Sequence, residues 1–121
     1  MRCLMIVRFD EHAQLSPEEE AGMGPATDAW ICGLGARGIR LDGHRLRPPS
    51  DATTLRRRDG ELVITDGPFA ETKEQIAGYD LLLCEDHAEA VEAAAAHPAA
   101  RFGALELRPF LEDVEAGRDL R

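Results

Sequence analysis

One apolar run sets the layer structure of this chain: Arg2-Cys3-Leu4-Met5-Ile6-Val7-Arg8-Phe9. The side chains between Arg2 and Arg8 are all apolar, so the run lacks the alternation of apolar and polar residues that is typical of a strand with one solvated face. Because successive side chains of a strand point to opposite faces, an unbroken apolar run predicts a strand that is covered on both faces. One side of the sheet then packs on helices, and the other side needs a second apolar layer.

A long helix is predicted to follow this strand. The sequence Ser16-Pro17-Glu18-Glu19 has the residues of a capping box, with proline at the first helical position. Gly24-Pro25 predicts a kink or break, because the residue before proline is pushed away from helical angles. Trp30, the only tryptophan, is predicted to be a core anchor. Gly38 predicts the end of the helix.

The middle of the chain predicts a β-hairpin. Two strand-like runs, 53–58 and 61–66, flank Asp59-Gly60, which is a strong two-residue turn signal. Pairing the runs through that turn places Asp66 on the same side as Ile64, the apolar side of the hairpin. We therefore expect the Asp66 carboxylate at the end of a row of side chains that faces the core.

The remaining elements complete an α+β pattern. Further strands are predicted over 39–46, 79–84 and 104–110, with a second helix from the Asp86 capping box to about His97. Without the hairpin the order is a ferredoxin-like βαββαβ, with an inserted β-hairpin and both helices on one face of an antiparallel sheet. The length of 121 residues fits one domain, placed at 1–110, with a polar C-terminal tail at 111–121.

The uncovered face of this sheet predicts a homodimer. A second copy packed face to face is the simplest cover for it and makes a dimeric α/β barrel. Arg8, Glu106 and Arg108 are candidates for the inner wall of that barrel.

Composition narrows the classes of partner. The net charge of −9 argues against nucleic acid and anionic membranes as partners. The local run 56–58 of three arginines is interpreted as a solvated strand edge.

Cys3, Cys32 and Cys84 form no C-x-x-C pair, which predicts reduced, buried thiols in a cytoplasmic protein. The apolar run at the amino end is too short, and charged residues follow it too early, to predict a signal peptide. The four scattered histidines predict no metal site, and His87 at a helix start and His97 before Pro98 are expected to be solvated. The absence of a phosphate loop or nucleotide fingerprint predicts no cofactor.

The residues Asp66–Glu74, DGPFAETKE, form the candidate site. Asp66 or Glu71 is a candidate catalytic base if burial raises its pKa, and Lys73, the only lysine, is suited to orient an anion. The candidate ligand-binding residues, with the nearby end of the first strand, are Gly67, Pro68, Phe69, Lys73, Glu74, Arg8 and His12. The alternative is a structural turn, in which Asp66 caps, Gly67 takes a positive φ and Phe69 plugs the core.

The stretch 66–75, together with Gly78-Tyr79 and Arg108-Pro109-Phe110, resembles the DGPF motif proteins of the YCII-related family. This resemblance covers roughly residues 1–110 and implies a ferredoxin-like dimeric α/β barrel. The family is largely without assigned reactions, and some DGPF members are encoded beside extracytoplasmic-function sigma factors. Its shorter branch has a proposed His–Asp pair, but Thr27 and His97 stand at those positions here, so that catalytic role does not carry over.

Two functions follow as hypotheses. The first is a small dimeric protein that binds a small organic ligand in a barrel cavity near the DGPF segment, with acid–base chemistry by Asp66 or Glu71 left open. The alternative is a non-catalytic regulatory or interaction module associated with an extracytoplasmic-function sigma factor. The sequence does not decide whether the protein is an enzyme.

Overall fold

The computed structural model describes residues 1–10, 12–72 and 74–111. In chain order its elements are β1 (Arg2–Phe9), α1 (Pro17–Ala36), β2 (Arg40–Arg45), β3 (Thr53–Arg58), β4 (Glu61–Asp66), β5 (Gln75–Leu83), α2 (His87–Ala95) and β6 (Gly103–Pro109). Short 3₁₀ turns lie at Pro49–Asp51 and Pro98–Arg101. The predicted order of strands, helices and hairpin is confirmed.

The strands form two separate sheets. The larger sheet has the order β2-β5-β1-β6 with antiparallel neighbours, and β3 and β4 form a two-stranded sheet of their own. When the hairpin is set aside, this order and the two helices match the ferredoxin-like α+β plan. The inserted hairpin therefore leaves the main sheet intact.

Both helices contribute to a core on one face of the main sheet. Cys3 and Met5 of β1 and Leu82 of β5 are completely buried there. Trp30 of α1 packs into the same cluster, and its Nε1 donates a 2.9 Å hydrogen bond to the carbonyl of Ala93 in α2. The prediction that Trp30 anchors the core is confirmed, and its indole joins the two helices.

The ends of α1 follow from local sequence. Ser16 accepts from the backbone N–H of Glu19, whose carboxylate accepts from the backbone N–H of Ser16, so the predicted capping box is present. At the other end Gly38 has φ +71°, and Ile39 N donates to Leu34 O over 2.9 Å. This is the Schellman arrangement that a glycine just beyond a helix permits.

The predicted interruption of α1 is partly wrong. The helix continues through Pro25 as one element of 20 residues, without the break that Gly24-Pro25 suggested. Both residues are exposed, as is Ala21, whose carbonyl lacks an N–H partner at position 25. That carbonyl can be hydrated, so the helix tolerates the proline.

The face of the sheet opposite the helices is only partly covered. Leu4, Ile6 and Leu81 are intermediate in exposure, and Leu83 is 44% exposed. The register of β1 with β5 and β6 puts these apolar side chains beside charged residues of β6. Apolar and charged side chains therefore lie side by side on this face.

The hairpin register is confirmed at every pair, from Thr53 opposite Asp66 to Arg58 opposite Glu61. The expectation that Asp66 lies on a core-facing row is wrong. Leu55 and Ile64 on that side are 57% and 60% exposed. The reason is that strand parity determines which residues share a face, whereas the hairpin stands outside the main sheet and its face has no layer over it among the described residues.

Two further sequence expectations need correction. Cys3 and Cys84 are buried, and burial raises the pKa of both thiols, but Cys32 lies exposed on α1. His97, expected to be solvated, is only 7% exposed because α1 and the turn Pro98–Arg101 enclose it. The tail 112–121 lies outside the described residues.

Candidate functional site

An open groove of about 920 Å³ lies between the hairpin and the end of the main sheet. Its apolar walls include Leu46, Leu55, Pro68, Phe69 and Ile76. Arg8 lines it from β1, and the turn Pro49–Asp51 closes one side. A concave, mainly apolar surface with a few polar groups has the general character of a small-molecule site.

The exit of the hairpin is fixed by its glycine. Gly67 has φ +104°, a conformation that residues with a Cβ rarely adopt. Its N–H donates to Ala52 O and its carbonyl accepts from Thr54 Oγ1, both over 2.8 Å. These two bonds hold the Asp66-Gly67-Pro68 turn against the start of β3 and so direct the following residues into the groove.

Phe69 is presented to solvent. It is 74% exposed, so the alternative in which it plugs the core is wrong. The guanidinium of Arg56 lies 4.5 Å from the centre of its ring, which is within cation–π range. A large exposed aromatic ring with a cation on it is suited to contact a ligand or another protein.

The loop after Phe69 is closed by an amide. Gln75 Nε2 donates to the carbonyls of Ala70 and Thr72 over 3.1 and 3.0 Å. Thr72 Oγ1 in turn donates to Glu74 O over 2.9 Å. The loop therefore has its own hydrogen bonds even though Ala70, Glu71 and Thr72 are exposed.

A charged cluster stands beside the groove. Arg8 donates from Nε and Nη2 to one carboxylate oxygen of Glu106, over 3.3 and 3.2 Å, and Arg108 donates to the other oxygen. The hydrogen bonds from Arg8, and then those from Arg108, lower the pKa of Glu106. Two arginines share one carboxylate, so the cluster carries a net positive charge that can attract an anionic group.

The structure brings together only part of the predicted site. The predicted residues that line the groove are Arg8, Pro68 and Phe69. Gly67 shapes the turn before them. Glu74 is intermediate in exposure and does not line the groove, and Lys73 lies outside the described residues.

The candidate bases are not part of the groove's lining. Asp66 and Glu71 are both exposed and line neither cavity. The desolvation on which their proposed catalytic role depended is therefore missing in this chain. His12 is exposed in the turn after β1, where its backbone N–H donates to Asp10 Oδ1 over 2.9 Å, and it does not line the groove.

The sequence did not indicate that Arg56 and Gln75 contribute to the site. Strand parity puts Arg56 on the face opposite Asp66, and the run 56–58 gave no reason to separate one arginine from its neighbours. Gln75 had a signal, since it follows the segment directly and can reach back to its carbonyls. In the part of the chain that the structure describes, no three His, Cys, Asp or Glu residues gather in a way that could hold a metal ion.

Comparison with known proteins agrees with this architecture. The model of the YCII-related domain matches residues 1–112. The chain belongs to the YCII-related domain family. It is also 45% identical over 70 residues to an uncharacterized protein of Rhizobium meliloti (strain 1021), covering 54% of this chain and 55% of that protein. The chain thus spans about half the length of the curated relative that it matches.

Within this YCII-related domain, Thr27 and His97 lie at a different place from the DGPF groove. Thr27 and His97 both line a second cavity, beneath α1. In the described part of the chain, no residue lines both the DGPF groove and that cavity. Among the described residues, no helix is long and apolar enough to cross a membrane.

Proposed function

We propose that this YCII-related domain is a homodimeric binding protein whose DGPF groove holds a small organic anion with an apolar or aromatic body. The observation that carries the proposal is the position of Phe69. Its ring is exposed at a groove that Arg8 lines from the other side. An aromatic ligand can stack on Phe69 while its anionic group meets the positive cluster around Arg8.

The proposal is for binding, without proton transfer by Asp66 or Glu71. A general base must come within hydrogen-bond reach of the proton that it abstracts, and these exposed carboxylates do not line the groove. The arginines that do stand at the groove cannot act as bases at neutral pH. The groove's chemistry therefore favours recognition of a ligand.

A second copy is the proposed cover for the open face of the main sheet. Support comes from the partly exposed Leu4, Ile6, Leu81 and Leu83 and from the exposed apolar residues of the hairpin. A two-stranded hairpin is marginally stable alone in water, so its apolar side chains favour packing against a partner. A cytoplasmic location remains a prediction from the free thiols.

Binding can be tested with the fluorescent anion 8-anilinonaphthalene-1-sulfonate, which has an aromatic body and one negative charge. Phe69→Ala is expected to weaken its affinity by about tenfold, since stacking on an aromatic ring contributes up to roughly 1.5 kcal/mol. Val91→Ala removes an exposed apolar side chain of α2 and is the control. If Phe69→Ala and Val91→Ala leave the affinity equally unchanged, the groove is not the site.

The dimer has its own test by sedimentation equilibrium. The wild-type protein is expected at twice the chain mass of 13.3 kDa, and Leu83→Lys, which puts a charge on the open face, is expected to shift it to the monomer. A wild-type protein that stays monomeric at high micromolar concentration contradicts this part of the proposal.

One observation supports the alternative of an interaction module. Leu62, Val63 and Ile64 give the hairpin exposed apolar residues on both faces, more than one small ligand needs. A sigma-factor partner rests on the family resemblance alone. A hairpin variant that loses a protein partner while its affinity for the fluorescent anion is unchanged distinguishes this alternative from the first function.

A further inference from the structure

A second cavity of about 720 Å³ lies between α1 and the helix-facing side of the main sheet. Its apolar lining comes from both layers and includes Val7, Phe9, Met23 and Ile31. None of the described residues lines both this cavity and the DGPF groove. A volume of this size is in the range of cavities that hold small organic molecules.

A buried ion pair forms part of its wall. Arg40 Nε lies 2.7 Å from Asp80 Oδ1, and the two side chains are 17% and 9% exposed. A Cβ on Gly43 would collide with Asp80 Oδ1, Arg40 Nη2 and the carbonyl of Tyr79. Glycine at this position, beside the bulge in β2, leaves room for the pair.

A contribution to the stability of the fold does not by itself explain why the chain has this ion pair. Replacing a buried pair by apolar residues is often neutral or stabilising, because desolvation of two charges offsets their attraction. The pair also neutralises itself, so the cavity receives little net charge from it. The remaining N–H groups of Arg40 are still available as hydrogen-bond donors at the wall.

His97 supplies a second polar group at the cavity. Its Nδ1 accepts a 3.0 Å hydrogen bond from Ala99 N, and its ring packs against Trp30 in a T-shaped arrangement with a centroid distance of 4.7 Å. Because Nδ1 is an acceptor, the neutral ring carries its proton on Nε2. Burial lowers the pKa of His97, although the charge of Asp80 opposes this shift, so the neutral form is favoured.

The Nε2–H group is the polar part of the ring that the bond from Ala99 N leaves unused. It bonds to none of the described residues, yet no buried polar side-chain atom among them lacks a partner. Nε2 is therefore accessible and not sealed in the core, and His97 lines the cavity. With Nδ1 occupied, this imidazole acts as a hydrogen-bond donor and has no free nitrogen to act as a base.

We propose that this cavity is a second ligand site, which binds an uncharged carbonyl compound whose oxygen accepts a hydrogen bond from His97 Nε2. An uncharged ligand is favoured because Asp80 compensates Arg40. Of the exposed charged groups that also line the cavity, the carboxylates of Glu20 and Asp28 outnumber the guanidinium of Arg45, so the site does not favour anions. The apolar lining accommodates the body of the ligand, and the donor orients its oxygen.

The test uses 1-tetralone, a bicyclic ketone, and tetralin, the same skeleton without the oxygen. Titration of the full-length protein with 1-tetralone is expected to shift the imidazole nitrogen resonances of His97 saturably in NMR spectra. His97→Asn keeps an acceptor near the Ala99 N–H and removes Nε2–H. It is expected to weaken 1-tetralone binding by roughly five- to tenfold and to leave tetralin binding unchanged.

His87→Asn, at an exposed histidine of α2, is the matched control and should leave both ligands unaffected. Phe69→Ala should also have no effect here, which separates this site from the DGPF groove. The proposal is overturned if 1-tetralone gives no saturable shift at His97, or if His97→Asn lowers the affinity for 1-tetralone and tetralin equally.

Discussion

The guanidinium carbon of Arg56 lies 4.5 Å from the centre of the Phe69 ring, so a cation–π contact joins the hairpin to the loop that follows it. The exposed ring thereby has a fixed neighbour on one side. A ring held in this way needs less ordering when a ligand stacks on it, which favours binding.

Removing Arg56 is therefore expected to weaken binding at the groove without unfolding the protein. Arg56→Ala should lower the affinity for 8-anilinonaphthalene-1-sulfonate by about two- to fivefold, since an exposed cation–π contact contributes roughly 0.5–1 kcal/mol. Arg57→Ala removes the same charge from the same strand but only a contact to the Gly60 carbonyl. Equal affinities in a fluorescence titration of the two variants would show that charge alone matters.

The turn at Gly67 gives a prediction about stability. Gly67→Ala forces a Cβ onto a residue with φ +104° and is expected to lower the free energy of unfolding by about 1–2 kcal/mol. Gly33→Ala in α1 meets open space and is expected to raise it by about 0.5–1 kcal/mol. Urea denaturation measures both, and opposite signs are the expected result.

Local signals in the sequence predicted the fold well. The Asp59-Gly60 turn determined the hairpin register because a two-residue loop leaves little choice of pairing. Gly38 likewise marked the end of α1 through the positive φ that it adopts. Each of these features depends on residues close together in the chain.

The candidate site was predicted less well, because it depends on what covers each surface. Parity correctly grouped Asp66 with Ile64, but whether that face is buried is a tertiary property. His97 looked solvated from its place before a proline, whereas the return of the chain past Trp30 encloses it. The sequence supplies no contact between such distant residues.

This distinction leads to a prediction for Asp66. Because its carboxylate is exposed and does not line the groove, Asp66→Asn should leave the affinity for the fluorescent anion within about twofold. Phe69→Ala, measured beside it, should show the larger loss. A tenfold loss for Asp66→Asn in the same titration would restore the carboxylate as a site residue.

Glu106, on the open face of the sheet, is expected to make a contribution to stability that is lost in acid. Hydrogen bonds from Arg8 and Arg108 lower its pKa in the folded protein, so the unfolded chain binds this proton more readily. The stabilisation is present above the ordinary pKa of glutamate and is lost as pH falls through the lowered value. Glu106→Gln should reduce the loss of stability on acidification in urea denaturation. Glu92→Gln, at an exposed residue of α2, should not.

The lowered pKa of His97 predicts a second pH dependence of the unfolding free energy, at a higher pH than that of Glu106. Burial lowers its pKa from the ordinary 6.5, with the opposing charge of Asp80 the smaller cause. As pH falls below about 6.5, the unfolded chain therefore protonates this ring before the folded chain does. The stability contribution is complete above the unfolded pKa and decreases as pH falls towards the folded pKa.

Replacing His97 with an uncharged residue should remove this part of the pH dependence. His97→Asn is expected to flatten the dependence of the unfolding free energy on pH between about 7 and 5, as measured by urea denaturation at a series of pH values. His87→Asn, at an exposed histidine in the first turn of α2, should retain the wild-type slope. If His97→Asn also retains that slope, the ring is protonated equally readily in the folded and unfolded chains and is not held neutral by the core.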